Sequence, residues 1–133
     1  MYKRLLVTVL LLLFVFPCVA SAANLTGKLT YWKQGKEYPL VNATVVVGKD
    51  IWLKDDGATD VVKGAVTAKT TTDGNGRFVL SGPAGNYLMI IWKANHIPST
   101  GINVSLPGTQ NDSISYDNQV GASGRHVYLR FEK

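Results

Sequence analysis

The sequence predicts an all-β fold, a Greek-key sandwich of seven to eight strands. Three observations carry that prediction. After residue 23 the apolar residues come in short runs rich in Val, Ile, Leu and aromatics. Glycine-containing turns separate the runs, as in "TTTDGNGRFVLSGPAGNYLMII" from Thr70 to Ile91. No segment after residue 23 has the three- and four-residue apolar spacing of an amphipathic helix.

The elements follow in order. "LTGKLTYW" (Leu25 to Trp32) alternates and reads as a strand, with "KQGKEYP" as its connection. "ATVVVGK" (Ala43 to Lys49) is a second strand. "IWL" (Ile51 to Leu53) either extends it past a bulge or forms a short strand of its own. Lys54 to Gly64 reads as a polar loop, and Ala65 to Thr72 as a β-branched strand. In "DGNG" both Gly74 and Gly76 are expected to supply the positive φ of a hairpin turn. "RFVL" is a short strand, "SGPAG" turns again, and "NYLMIIWK" (Asn86 to Lys93) is the most apolar strand after the N-terminal segment. "INVSL" follows, then a long polar excursion from Pro107 to Gly124, and "RHVYLRFE" closes the domain.

The first 22 residues read differently. Lys3 and Arg4 precede an apolar run from Leu5 to Phe16, broken only by Thr8, and Ala20-Ser21-Ala22 is a small-x-small cleavage site. That is the pattern of a secretory signal peptide. Twelve residues reach only ~18 Å as a helix, short of the ~30 Å of a hydrocarbon core. Residues 1–22 are therefore expected to be a leader and 23–133 a single domain, secreted or periplasmic, with no membrane span after cleavage. Cys18 is the only cysteine and lies in the leader, behind Pro17 rather than the small residue that lipidation requires. The mature domain is expected to hold no disulfide, thiolate metal site or cysteine nucleophile, so its core alone must stabilise it.

Charge excludes little but is informative. The chain has 14 basic and 9 acidic residues. No Lys/Arg run follows the leader, so no nucleic-acid partner is expected.

Gly27, Pro39, Leu40, Ala43, Val45 and Val47 fit a "G-x-V" strand followed by "P-L-x-x-A-x-V-x-V". Asp73, Gly76, Phe78 and Leu80 fit "D-x-x-G-x-F-x-L", and Gly85, Tyr87, Met89 and Ile91 fit "G-x-Y-x-L-x-V". In these motifs the segment from Leu25 to Pro98 resembles the carboxypeptidase regulatory-like domain family. The resemblance implies a transthyretin-like (prealbumin-like) β-sandwich and a non-catalytic module. It thins over the last thirty-odd residues, and, unlike in the carboxypeptidases, no enzyme domain is expected to be attached.

Strand alternation then assigns faces. Phe78 and Leu80 share one face, as do Tyr87, Met89 and Ile91, and these are expected to point inward. Leu88, Ile90 and Trp92 point the other way. Either loops or a second packed layer cover them, or they form an exposed partner surface. Trp32 is expected to face outward beside Lys28, and Tyr128 beside Arg130. Flat exposed aromatics stack on sugar rings or anchor protein partners.

Catalytic and metal signals are weak. No G-x-S-x-G occurs, and His96 and His126 fall in a loop and at a strand start. The chain ends "VYLRFEK" and lacks the Tyr-Arg-Gly-Ser tail of the related 5-hydroxyisourate hydrolases. Asp55, Asp56 and Asp60 cluster in the polar loop and are expected to be solvated. Whether that loop takes a cation stays open. Asp73 and Asn75 are half of a calcium-like spacing, but Arg77 follows, and turn chemistry explains them. Four N-x-S/T matches, at Asn24, Asn42, Asn103 and Asn111, are glycosylation acceptors in a eukaryotic host and carry no meaning in a bacterial one.

The sequence thus predicts a secreted or periplasmic binding or adaptor module, not an enzyme, with no cofactor and no metal. It is expected to recognise a protein or carbohydrate partner through Trp92, Ile90, Leu88, Trp32 and Tyr128. The alternative is a structural subunit of a cell-surface or extracellular assembly, self-associating edge to edge.

Overall fold

The computed structural model describes residues 22–115 and 124–133, so the signal-peptide reading, Ala22 apart, lies outside the described residues. No helix occurs among them, and accordingly none long and apolar enough to cross a membrane. The strands are β1 (Ala23–Lys33), β2 (Lys36–Pro39), β3 (Thr44–Gly48), β4 (Trp52–Asp56), β5 (Thr59–Lys63) and β6 (Ala68–Thr71). They continue with β7 (Arg77–Gly82), β8 (Gly85–Trp92), β9 (Ser99–Leu106), β10 (Gly108–Thr109), β11 (Asp112–Ser115) and β12 (Tyr128–Glu132).

Three sheets are stacked. In the first, β1 pairs antiparallel with β7 and β2 along one edge and parallel with β10 and β11 along the other. The second is antiparallel, in the order β6-β3-β8-β9. The third is β12-β5-β4, with β12 parallel to β5. Neighbours such as β3 and β8, or β1 and β7, are distant in sequence, because the chain crosses between sheets instead of meandering within one.

Period-two alternation builds two cores. Leu25 and Leu29 of β1 and Phe78 and Leu80 of β7 face Val45 and Val47 of β3, Tyr87, Met89 and Ile91 of β8, and Val104 and Leu106 of β9. This is the main core, and its inward faces match the expectation from sequence. On the other side of the second sheet, Val46 and Ile90 meet Ile51 and Val62, with Leu53, Val66, Leu88 and Leu129 around them. Thus β3 and β8 are buried on both faces, which is why they read as continuous apolar runs. Each fully buried Val, Leu, Ile or Met contributes ~1.5–3 kcal/mol relative to exposure.

The third sheet departs from the sequence reading. Lys54 to Gly64 is not a loop but the end of β4, a two-residue turn and all of β5. Asp56 pairs with Thr59 around Gly57 and Ala58, and Gly57 takes φ 76°. Glycine first in a two-residue turn with positive φ is the turn chemistry of a tight hairpin. "KQGKEYP" is likewise a hairpin, Lys33 pairing with Lys36 around Gln34 (φ 52°) and Gly35 (φ 75°). Polar residues hid both hairpins: β2 is exposed along its whole length and β4 along most of it.

The "DGNG" turn forms by a different device from that expected. Gly74 is not in the left-handed region, whereas Gly76 is, at φ 76°. A Cβ on Gly76 would lie 2.3 Å from the Leu29 carbonyl oxygen. That carbonyl accepts from the Leu40 N–H, while the Gly76 carbonyl accepts from the Leu29 N–H. The turn therefore docks onto β1 through backbone alone. Asp73 organises it: its Oδ1 accepts the N–H groups of Asn75 at 2.8 Å and Arg77 at 2.9 Å. Those bonds, Arg77's first and then Asn75's, hold the Asp73 carboxyl below its ordinary 3.8.

Two outcomes follow. Gly76→Val is expected to cost more than the ~1–2 kcal/mol of left-handed backbone strain alone, since the side chain also meets β1. Gly74→Ala, facing open space, is expected to stay within ~0.5 kcal/mol of the parent. Urea unfolding of both variants checks this. Because the Asp73 pKa is depressed on folding, its stabilisation is full above pH ~4 and lost as pH falls below that. Urea midpoints measured from pH 6 to pH 2 should fall less steeply in Asp73→Ala than in the parent.

Candidate functional site

Two constellations stand out. The first lies between the second and third sheets. Asp60 of β5 points beneath its sheet and is fully buried. Its Oδ2 accepts from the Trp92 indole Nε1 at 2.8 Å. His126 Nδ1 lies 2.9 Å from Oδ1 and 2.7 Å from Oδ2, so it is the nitrogen that carries the donated proton. His126 itself is fixed by backbone. It sits at φ 57°, its N–H donates to the Gly57 carbonyl, and its carbonyl accepts from the Asn95 N–H. Outside this clasp, exposed Asp55 accepts from the Gly57 N–H and pairs with Arg125. The Gly57 bond foremost, and the Arg125 charge with it, holds Asp55 below its ordinary 3.8.

Ligand atoms of Asp55, Asp60 and His126 all lie within 4.8 Å of one another. A cation there would have to displace the Trp92 N–H, the His126 N–H and the Arg125 guanidinium, all of which already serve these carboxylates. Among the described residues no buried side-chain nitrogen or oxygen lacks a partner. The clasp also has the base and orienter of a hydrolytic triad, but among the described residues no hydroxyl or thiol bonds the His126 ring. What it does is join three elements, β5, β8 and the approach to β12. The sequence placed Asp60 in a solvated loop. The β-branched run Val61-Val62 immediately after it was the signal that it sits in a strand.

The clasp and the third sheet relocate three of the predicted surface residues. Ile90 is 1% exposed, Leu88 is half-buried in the smaller core, and Trp92 is half-buried with its N–H on Asp60. The outward face of β8 is covered, and its cover is a sheet, because three large apolar groups in a row cannot be left in water without cost. Trp32 and Tyr128 do face solvent, at 45% and 63% exposure. They lie on opposite outer layers, the first and third sheets, and form no common site. Sequence reasoning missed Trp52, which is 55% exposed and shares the outer face of the third sheet with Tyr128.

The second constellation is an open groove of about 830 Å3 on the first sheet. Thr26, Lys28 and Thr30 of β1 line it, with Arg77 and Val79 of β7 beside them. Thr109, Asn111, Asp112 and Ser113 form its far side, and Glu37 of β2 closes one end. Asn111 Oδ1 accepts the Lys28 N–H at 2.9 Å and so fastens the far side to β1. Gly27 permits the close approach of that segment, since a Cβ there would lie 1.8 Å from the Gln110 carbonyl oxygen. Trp32 continues the outward row of β1 beyond Thr30 and pairs across the ladder with Glu37.

No protein-family model matches the chain, and no curated protein matches it. Among solved structures it is similar to a minor pilin of Streptococcus agalactiae, with TM-score 0.46 and 14% identity, over 72% of this chain and 44% of that one. It is similar to Klebsiella pneumoniae 5-hydroxyisourate hydrolase, with TM-score 0.45 and 14% identity, over 70% and 88% of the two chains. A chain of a type II cohesin–X-dockerin complex from Acetivibrio cellulolyticus follows, with TM-score 0.43 and 20% identity, over 80% and 56%. The chain thus spans about half of the pilin and cohesin–dockerin chains that it matches.

Asp60→Ala leaves the Trp92 and His126 donors without an acceptor. It is expected to cost on the order of 3 kcal/mol, and Trp92→Ala a loss of the same order as the core change Phe78→Ala, ~3–5 kcal/mol. Thermal or urea unfolding of the three variants measures this, and a Trp92→Ala protein as stable as the parent would mean that the clasp does not hold the third sheet.

Proposed function

We propose that the domain is a secreted or periplasmic, non-catalytic binding module, and that its ligand is a carbohydrate held in the groove of the first sheet. The observation that carries this reading is the placement of Trp32 on the same outward row of β1 as the groove residues Thr26, Lys28 and Thr30. An open trough lined by hydroxyl, amide and charged side chains stands beside an exposed indole, two residues beyond Thr30 on the same strand face. Sugar rings present the matching chemistry, with hydroxyls that donate and accept along their edges and C–H faces that stack on an aromatic plane. The resemblance of Leu25 to Pro98 to carboxypeptidase regulatory-like domains supports a module that accompanies or recruits, not one that reacts.

A second reading has its own observation. β4 and β12 each pair only with β5, so both edges of the third sheet are open among the described residues, and Trp52 and Tyr128 stand on its outer face. A structural subunit would assemble there edge to edge.

Trp32→Ala is expected to weaken oligosaccharide binding by ~2 kcal/mol or more while leaving the unfolding midpoint unchanged. Calorimetric titration of a panel of oligosaccharides, paired with thermal melts, tests it. Absence of binding across the panel, together with concentration-dependent association in sedimentation runs, would favour the second reading.

A further inference from the structure

Lys28 and Arg77 occupy directly opposed positions in the β1–β7 ladder. Like charges placed so are destabilising, and a counter-ion normally relieves them. None does here. Among the described residues neither the Lys28 ammonium nor the Arg77 guanidinium makes an ion pair. The carboxylates nearby keep their charge but make their hydrogen bonds elsewhere or stand farther along the ladder. Asp73 feels the Arg77 charge, but its carboxylate accepts the backbone N–H groups of its own turn. Asp112 accepts from the Gln110 amide at 3.1 Å. Glu37 stands opposite Trp32, four residues along β1 from Lys28. Both cations line the open groove.

We propose that the groove takes an acidic glycan, and that Lys28 and Arg77 together hold the carboxylate or sulfate of one sugar unit. The inference rests on the carbohydrate reading above and adds the charge of the ligand. Cross-strand partners sit ~5 Å apart at Cβ, so one anionic group reaches both. The arginine fork offers two parallel N–H donors to its oxygens, and the lysine supplies a compact second charge. The anion removes the repulsion that the empty ladder pair carries. Thr26 and Thr30, on the same face of β1 as Lys28, lie where the ring hydroxyls of the same and adjacent units would run, and Trp32 lies where a following ring would stack.

The test is a calorimetric titration of the purified protein with three probes of equal length: an oligogalacturonate, a sulfated oligosaccharide and a neutral oligoglucoside. At least one acidic probe is expected to bind ~10-fold or more tighter than the neutral one, with affinity falling as salt rises. Lys28→Ala and Arg77→Ala should each remove ~10-fold of that preference, read as the ratio of acidic-probe to neutral-probe affinity. Their unfolding midpoints should be equal to the parent's or higher, because each relieves the opposed charge. Equal affinities for acidic and neutral probes, or variants that keep the preference, would overturn the inference while leaving the carbohydrate reading intact. Failure of all three probes to bind would overturn both.

Discussion

The double burial of β8 is the constraint on which the rest of the architecture depends. Its sequence from Tyr87 to Trp92 has an apolar residue at every position, so alternation delivers large groups to both faces. One face fills the sandwich between the first and second sheets. The other cannot stay in water, and a bare two-sheet sandwich offers it nothing. The chain answers with an insertion between β3 and β6, the β4–β5 hairpin, and with its last strand, β12. These three short strands form a lid whose inner side carries Leu53, Val62 and Leu129.

A lid of that size has little apolar area to hold it in place, and polar anchors assist. The Asp60 clasp fixes it at one end to Trp92 of β8 and to His126 ahead of β12. At the other end the Lys69 ammonium of β6 sits over the Phe131 ring, while Lys63 with Glu132, at 2.6 Å, and the Gly64 N–H with the Glu132 carbonyl tie β12 to β5 within the lid. The exposed ion pair contributes little by itself. The clasp differs because its carboxylate is sealed from solvent, where an unpaired acceptor is costly.

Much of the main sandwich was legible in the sequence because its signals are local. Alternation assigned Phe78, Leu80, Tyr87, Met89 and Ile91 to the core, and Asp73 with Gly76 marked the turn. Two kinds of feature escaped. Hairpins with one solvated face, such as Trp52 to Lys63, carry too many charges to read as strands when their apolar alternation is weak. Partnerships far apart in sequence, Asp60 with His126 or Lys28 with Arg77, depend on register, and register is set by tertiary packing. The groove was invisible for the same reason. Its walls come from β1, β2, β7 and the 109–113 segment, and of the residues that line it only Lys28 was read from sequence as facing outward, beside Trp32. Ile90, Leu88 and Trp92 were read correctly as facing away from the main core, but their cover came from residues that looked like loop.

The division into two unequal cores has a dynamic consequence. Opening the lid breaks the ladder within β12-β5-β4 and exposes the smaller core, yet leaves the main sandwich and the backbone pairing of β3 with β6 and β8 intact. Local opening of that kind requires less free energy than global unfolding. Amide protons in β4, β5 and β12 therefore have an escape route that those at the centre of β3 and β8 lack. Exchange is expected to be faster in that outer layer than in the body beneath it, and the proposed glycan groove lies on the body, as a preorganised site should.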